Sequence, residues 1–162
     1  MDCDLLIIGA GAAGLFCAGT ARAQGARVVV IDHAPRPGEK IRISGGGRCN
    51  FTNLSTTRER FLSENPRFAA SALSGYKPAD FVALVDQAGI AWHEKTLGQL
   101  FCDGSARQIV DMLMDQCARG NVAYAFGSPI SDISHADSTF RVNVGSEVAL
   151  APALVIATGG PS

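Results

Sequence analysis

A glycine fingerprint close to the N-terminus has the residue types and spacing of a dinucleotide-binding turn. Gly9, Gly11 and Gly14 match the pattern GxGxxG, and Asp32 follows 18 residues after Gly14. Glycine at these places permits a tight turn, close approach of a pyrophosphate to the backbone, and close packing of a helix on a sheet. The Asp32 carboxylate can accept hydrogen bonds from ribose hydroxyls, and its charge disfavours the 2′-phosphate of NADP. The pattern predicts a pyrophosphate site at a helix start, where N–H groups and the helix dipole stabilise negative charge.

A second glycine-rich stretch runs from residue 40 to residue 53, with the sequence KIRISGGGRCNFTN. Its three consecutive glycines, Gly45 to Gly47, allow backbone to lie against a flat ligand where side chains would clash. Side chains that could form hydrogen bonds with the rim of a heteroaromatic ring are Ser44, Asn50, Thr52 and Asn53. The stretch belongs to an irregular segment, 33–56, whose length favours a functional loop.

Positive charge is concentrated around this loop. Residues 36–60 contain six basic and two acidic residues, whereas the whole chain of 162 residues has a net charge of −1 and a pI near 6.3. A local positive field can favour an anionic ring or a phosphate, and we expect Lys40 or Arg48 to stabilise such charge. The overall charge balance is less basic than that of general nucleic-acid or anionic-membrane binders.

The remaining reactive side chains indicate neither a metal site nor a catalytic pair. Five cysteines occur without any CxxC spacing, which favours reduced thiols in a cytoplasmic protein. We expect Cys49 to be a packing residue, and a lone thiol that faces a ligand bound at the glycine-rich loop is the alternative. No segment approaches the roughly 20 apolar residues of a membrane span, and the acidic N-terminus is unlike a signal peptide. We expect no bound metal and no membrane partner. We also expect no catalytic role for His33, His93 or His135, since no partner residues are evident. The catalytic acid or base stays unassigned.

The elements that must position these residues alternate between strands and helices, which is typical of an α/β fold. A buried strand over 4–8, a helix over 15–24 and a strand over 27–31 form a βαβ unit. The periodicity predicts further strands and helices beyond it. The strands are expected at 99–102, 121–126 and 153–157, an antiparallel three-stranded meander at 128–150, and the helices at 57–63, 66–73, 78–88 and 105–117.

These elements predict a Rossmann-like domain with a parallel central sheet, crossed over by the meander. We interpret residues 1–162 as an incomplete domain of this kind, because the chain reaches a central strand with no helix after it. Its expected segments are the βαβ unit at 1–32, the glycine-rich loop at 33–56, a helical excursion at 57–120, the meander at 128–150, and the last central strand with ATGG at 153–160.

Three motifs in succession make the sequence more specific: GAGAAG, then SGGGRCNFTN, then ATGG. Together they resemble the BaiN/YhiN-like family of bacterial FAD-dependent flavoproteins, within the class that has two dinucleotide-binding domains. The resemblance implies that the fingerprint and Asp32 hold the ADP half of FAD, and that the 44–53 loop lies beside the flavin. It also implies that backbone near Ile130 meets the adenine and that Ala157, Thr158 and Gly159 pass close to the cofactor.

The resemblance further implies a central strand order in which the 121–126 strand, the second strand, the first strand and the 153–157 strand are neighbours. Family members continue well past ATGG, which is why we expect the N-terminal part of such a protein. The residues expected at the cofactor are Gly9, Gly11, Ala12, Ala13, Gly14, Asp32, Lys40, Ser44, Gly45, Gly46, Gly47, Arg48, Cys49, Asn50, Thr52, Asn53, Ile130, Ala157, Thr158 and Gly159.

The activity implied by the resemblance is that of an FAD-dependent oxidoreductase, with NAD(P)H as electron donor and an unidentified organic acceptor. Two alternatives stay open: a module that binds FAD or NAD without turnover, and a flavoprotein acting in RNA modification. The only support for the RNA alternative is the basic 36–60 segment. We also expect self-association, because an incomplete sheet leaves apolar surface uncovered.

Overall fold

The computed structural model describes residues 1–160, which fall into two compact units. The first comprises residues 1–41 together with the chain from Val110 onward, and the second comprises residues 42–109. Among the helices in the described part, none has the length and apolar character needed to span a membrane.

The first unit is built on a four-stranded parallel sheet. Its elements are β1 (Leu5–Ile8), β2 (Val28–Asp32), β6 (Val122–Phe126) and β10 (Leu154–Ile156), and helix α1 (Ala12–Ala23) follows β1. Strand β1 pairs with β2 on one side and β10 on the other, and β2 pairs with β6. The order β10-β1-β2-β6 is the one expected for the central strands, so the Rossmann-like α/β prediction is confirmed.

The central strands are apolar on both faces because both faces are covered. Leu6, Ile7, Val30 and Ile31 are completely buried. Each such side chain stabilises the fold by roughly 1.5–3 kcal/mol relative to exposure. This burial holds the strand ends, and the turns that follow them, in fixed positions.

The predicted antiparallel meander is also present in the first unit. Its strands pair in the order β7-β8-β9, and its buried face includes Val142 and Ala149. These residues join Leu6 and Ile8 in one apolar cluster, with the half-buried Ile130 packed against it. The strands of the meander are β7 (Ile130–Ala136), β8 (Thr139–Val144) and β9 (Glu147–Ala151).

The second unit contains a small antiparallel sheet in the order β3-β5-β4. Helices α2 (Glu39–Ile43) and α5 (Arg107–Ala118) span the points at which the chain passes between the units. The other elements of the second unit are β3 (Asn50–Asn53), α3 (Ala70–Gly75), α4 (Pro78–Gln87), β4 (Trp92–Glu94) and β5 (Gln99–Cys102).

The second unit differs from the sequence-based expectation in two ways. The segment predicted as an irregular loop contains α2, a 3₁₀ turn at Ser44–Gly47 and strand β3, and the expected helical excursion contains β4 in addition to the strand predicted at 99–102, which is β5. The helices predicted at 57–63 and 66–73 are replaced by a 3₁₀ turn at Arg58–Arg60 and the short helix α3. Residues 57–68 are all exposed, so no buried face stabilises a longer helix there.

Candidate functional site

Two of the fingerprint glycines are required by the protein's own backbone. Gly9 has a φ of +112°, and a Cβ there would lie 2.3 Å from the carbonyl oxygen of Ala157. A Cβ at Gly14 would lie 1.8 Å from the carbonyl oxygen of Gly9. Both contacts are far below van der Waals distance, so the turn and the packing of α1 on the sheet need glycine at these positions.

Gly11 has no such requirement. Its backbone is extended, with φ −82° and ψ −167°, a conformation that any residue adopts. A Cβ at Gly11 would meet no other described atom within 4 Å. The space beside Gly11 is therefore open, which is the arrangement expected where a ligand approaches the backbone closely.

The start of α1 has the properties of an anion site. Gly11 occupies the N-cap position, no side chain of the described residues caps the helix, and no acidic residue lies in its first turn. The first N–H groups of a helix have no partner within it, so those of Ala12 and Ala13 are available to an anion. The helix has 12 residues, and its dipole adds to the attraction.

Asp32 ends β2 beside this turn. Its Oδ2 accepts a hydrogen bond from the Ala10 N–H at 2.6 Å, and its Oδ1 accepts one from the Ala34 N–H at 2.8 Å. The exposed His33 has its Nδ1 3.3 Å from Asp32 Oδ1. A carboxylate has about four acceptor positions, so Asp32 retains capacity for ribose hydroxyls. Sequence reasoning missed the backbone role of this residue.

The ATGG segment passes directly beside the fingerprint. The Ala157 N–H donates to the Ile8 carbonyl at 2.7 Å, which extends the pairing of β10 with β1. Lys40 donates from Nζ to the carbonyl of Gly160, and Gly159 has a φ of +74°. The structure thus places Lys40 and the ATGG segment together within the first unit.

The glycine loop lies in the second unit and has left-handed backbone throughout its three glycines. The φ values of Gly45, Gly46 and Gly47 are +56°, +67° and +83°. A Cβ at Gly45 would lie 2.6 Å from Cε1 of Phe101, whereas a Cβ at Gly46 would meet nothing within 4 Å. Packing therefore requires glycine at Gly45, and Gly46 presents bare, exposed backbone on the open side of the loop.

The polar residues around this loop divide into exposed and structural ones. Arg48 and Asn50 are exposed, and Ser44 and Thr52 are half-buried. Asn53 Nδ2 donates to the Leu97 carbonyl at 3.0 Å, and its Oδ1 accepts from the Ser55 N–H at 2.7 Å. Asn53 thus holds a turn, a role that its position in the motif does not reveal.

Cys49 follows the loop and is 5% exposed, with a φ of +54°. Burial raises the pKa of its thiol. Burial, with a smaller contribution from Cys49, also raises the pKa of Cys102 to about 11. The Cys102 N–H donates to the Arg48 carbonyl at 3.0 Å. Raised pKa values keep both thiols protonated near neutral pH, which suits packing residues.

His93 has a side-chain partner that the sequence did not reveal. Its Nδ1 lies 2.6 Å from Asp103 Oδ1, across the pairing of β4 with β5. Its ring stacks on Phe101, with centroids 6.3 Å apart and an interplanar angle of 19°. His93 lies on β4, a strand that the sequence did not predict, and Asp103 directly follows β5. Within residues 1–160, no group of three His, Cys, Asp or Glu residues could hold a metal ion.

The sequence profile of a known family, described as HI0933-like protein Rossmann domain, matches residues 3–162. The chain belongs to this family. This membership confirms the family relationship that the three motifs predicted. The profile also covers the turn of this HI0933-like domain that contains Gly11.

Two curated relatives resemble this HI0933-like domain over almost its whole length. The ribosomal RNA dihydrouridine synthase of Escherichia coli (strain K12) is 52% identical over 159 residues, which are 98% of this chain and 40% of the relative. The enzyme of the same name from Haemophilus influenzae (strain ATCC 51907 / DSM 11121 / KW20 / Rd) is 45% identical over 161 residues, 97% of this chain and 40% of the relative. The chain thus spans about 40% of the length of these relatives.

A solved structure gives the same architecture. The Diels-Alderase PyrE3, from the biosynthetic pathway of pyrroindomycins, superposes with a TM-score of 0.62 at 16% identity. The match covers 96% of this chain and 32% of that protein. At this level of identity the likeness concerns the fold alone.

Proposed function

We propose that this chain is the FAD-binding part of a flavin-dependent reductase that takes hydride from NAD(P)H. The observation that carries the proposal is the open space at Gly11, a glycine that neither backbone conformation nor packing requires. It faces an uncapped helix start, and Asp32 with unused acceptor positions lies beside the same turn. A dinucleotide with a pyrophosphate and a ribose diol fits this donor and acceptor set.

The chain's own residues then bind and orient the cofactor. The N–H groups of Ala12 and Ala13 would hold the pyrophosphate, and Asp32 would accept hydrogen bonds from the ribose. Considered by itself, the second unit offers bare backbone at Gly46 and the positive charge of Arg48, which suit a flat anionic ring. When bound, FAD supplies the hydride-transfer chemistry, and the protein supplies position and electrostatics.

The substrate we propose is a uracil base of RNA. Its support is the relationship to two ribosomal RNA dihydrouridine synthases at 52% and 45% identity. Forming dihydrouridine saturates the C5–C6 double bond of uracil, so it needs a hydride and a proton. This two-electron reduction is chemistry that a reduced flavin provides. The basic 36–60 segment is consistent with an anionic polymer as substrate.

The test has two stages. Titration with FAD, monitored by the quenching of flavin fluorescence, measures whether the chain binds the cofactor. Incubation of the FAD-loaded protein with NADH or NADPH and ribosomal RNA, followed by mass spectrometry of nucleosides, measures dihydrouridine. Failure to bind FAD would overturn the proposal. FAD binding with nicotinamide oxidation but no dihydrouridine would overturn the RNA substrate alone, and FAD binding without nicotinamide oxidation would indicate a cofactor-binding module.

A further inference from the structure

An exposed segment of the second unit combines arginines with uncovered apolar side chains. Residues 57–68, which we call the 57–68 segment, are all exposed. Leu62 is 95% exposed, Phe68 81% and Phe61 48%. Large apolar side chains clustered in this way on a surface usually mark a binding site. The segment also carries Arg58, Arg60 and Arg67 against two acids, Glu59 and Glu64.

The segment encloses a surface cleft of about 510 Å³, within the roughly 300–1,000 Å³ typical of small-ligand sites. Arginine lies at both ends of the lining sequence, and aromatic and apolar groups lie between them. The lining residues are Arg58, Glu59, Phe61, Leu62, Ser63, Pro66 and Arg67.

The charges of the cleft suit phosphate. Arg58 Nη2 lies 3.4 Å from Glu59 Oε1, so the acid that lines the cleft is already paired. Arg60 and Arg67 form no ion pair with any other residue in the described part of the chain. A guanidinium binds phosphate in two-point geometry and also stacks on base planes.

The backbone holds the cleft in shape without burying it. The 3₁₀ turn at Arg58–Arg60 fixes one side, where the Phe61 N–H donates to the Arg58 carbonyl at 3.2 Å. On the other side, Asn65 Oδ1 accepts from the Arg67 N–H at 3.1 Å, and Ser63 Oγ donates to the Asn65 carbonyl at 2.7 Å. These turns present Phe61 and two arginines on one preformed surface.

We propose that the 57–68 segment binds single-stranded RNA, with one base stacked on Phe61 and flanking phosphates on Arg58 and Arg67. Aromatic side chains and arginines on a preformed surface are how proteins bind unpaired strands, because every base has a stacking face. The identity of the polymer rests on the proposed function, which names RNA as substrate. The position of the contact rests on the cleft itself.

The test measures binding of a short oligouridylate at several salt concentrations, with duplex RNA as competitor. The double variant Arg58→Ala/Arg67→Ala should bind at least about tenfold more weakly, and its salt slope should fall by about 0.7 for each phosphate that the variant no longer neutralises. Phe61→Leu keeps an apolar side chain without an aromatic face and should weaken binding by about tenfold.

A matched control removes the same number of positive charges away from the 57–68 segment. Arg119→Ala/Arg141→Ala removes two exposed arginines from the first unit. This control should leave RNA affinity unchanged. All variants alter exposed side chains, so urea unfolding should confirm equal stability.

The outcomes separate this inference from the proposed function. Equal weakening by the cleft variants and the arginine control would overturn the cleft as the RNA contact, as would a wild-type protein that prefers duplex RNA or binds no RNA. If the wild-type chain binds no FAD but binds RNA in a way that depends on the cleft residues, the flavin proposal is overturned and this inference is supported. Unchanged RNA affinity in the cleft variants, with FAD bound, would overturn this inference, leave the proposed function standing and assign the segment to another partner.

Discussion

Asp32 and Ala10 are joined by a hydrogen bond of 2.6 Å from the Ala10 N–H to Asp32 Oδ2. The bond ties the end of the second parallel strand to the glycine turn that follows the first. Asp32 Oδ1 accepts a further bond from the Ala34 N–H at 2.8 Å. The side chain expected to bind ribose therefore also shapes the turn that would hold the pyrophosphate, and the two roles can be separated by experiment.

The first prediction concerns this carboxylate. Asp32→Asn retains one acceptor oxygen where two backbone N–H groups need acceptors, so we expect the free energy of unfolding to fall by about 1–2 kcal/mol. FAD affinity should fall as well, because the ribose would lose a charged acceptor. Urea unfolding and FAD titration measure the two effects. Asp111→Asn, at an exposed position on α5, is the control. Unchanged stability in Asp32→Asn would show that the carboxylate does not hold the turn.

The second prediction concerns Gly11. Gly11→Ala should fold normally, because the backbone is extended and a Cβ would meet no described atom within 4 Å. FAD affinity should nevertheless fall by about tenfold or more, since the methyl group would occupy the space of a pyrophosphate. Gly75→Ala makes the same chemical change in open space on α3 and should leave FAD binding unaltered. Tight FAD binding by Gly11→Ala would contradict the proposed pyrophosphate site beside Gly11.

The third prediction concerns Gly14, where a substitution should affect protein stability rather than FAD affinity alone. A Cβ would lie 1.8 Å from the Gly9 carbonyl oxygen, so α1 must move away from the sheet. We expect Gly14→Ala to lower the free energy of unfolding by about 3 kcal/mol or more, whether or not FAD is present. Urea unfolding of the cofactor-free protein provides the measurement. A variant with wild-type stability would show that the helix packs less closely than the structure indicates.

The fourth prediction concerns pH and the pair Asp4–Arg27. Arg27 donates to both carboxylate oxygens of Asp4, with Nη2 2.7 Å from Oδ1, and lowers the pKa of Asp4 from 3.8 to about 2. A depressed folded-state pKa contributes stability above about pH 4 that is lost as the pH falls towards about 2. The stability difference between wild type and Asp4→Asn should therefore shrink over this range. Both side chains are exposed, so added salt should reduce the effect. A difference that stays constant across the whole range would show that the pair does not contribute.

The fifth prediction concerns thiol reactivity. Cys17 is half-buried, whereas Cys3, Cys49, Cys102 and Cys117 are buried, and burial raises the pKa of all five thiols. We expect iodoacetamide to label Cys17 first at neutral pH, as read by peptide mass spectrometry, and to label Cys102 only on unfolding. Cys17→Ser should abolish the fast phase. Rapid labelling of Cys49 in the folded protein would instead indicate an accessible thiolate next to the glycine loop.

Much of the first unit follows from local patterns. Apolar runs such as RVVVI near residue 30 predict buried parallel strands, and the spacing of Gly9, Gly11 and Gly14 predicts the turn between β1 and α1. The alternation of apolar and polar residues predicts the meander. These sequence patterns are local, because the residues of each element themselves indicate which of its faces is buried.

The small sheet of the second unit shows where local patterns stop being informative. Asn50 pairs with Phe101 across about fifty residues of intervening chain, and the sequence around either residue does not predict the pairing. A different pairing, of β4 with β5, brings His93 to Asp103, and the sequence did not predict it because β4 has only three residues. Short strands with few side chains carry weak periodicity, so their partners depend on tertiary packing.

The amino-acid sequence by itself determined the fold class, the strand order through its family resemblance, and the positions of the fingerprint glycines. Only the tertiary structure distinguished the glycine that the protein does not require, Gly11, from the two that it does, because that distinction depends on which distant atoms a Cβ would meet. The tertiary structure also showed that the Asp32 side chain, proposed to bind ribose, accepts hydrogen bonds that hold the turn. Contacts between residues far apart in sequence arise from packing, and the local pattern does not encode them.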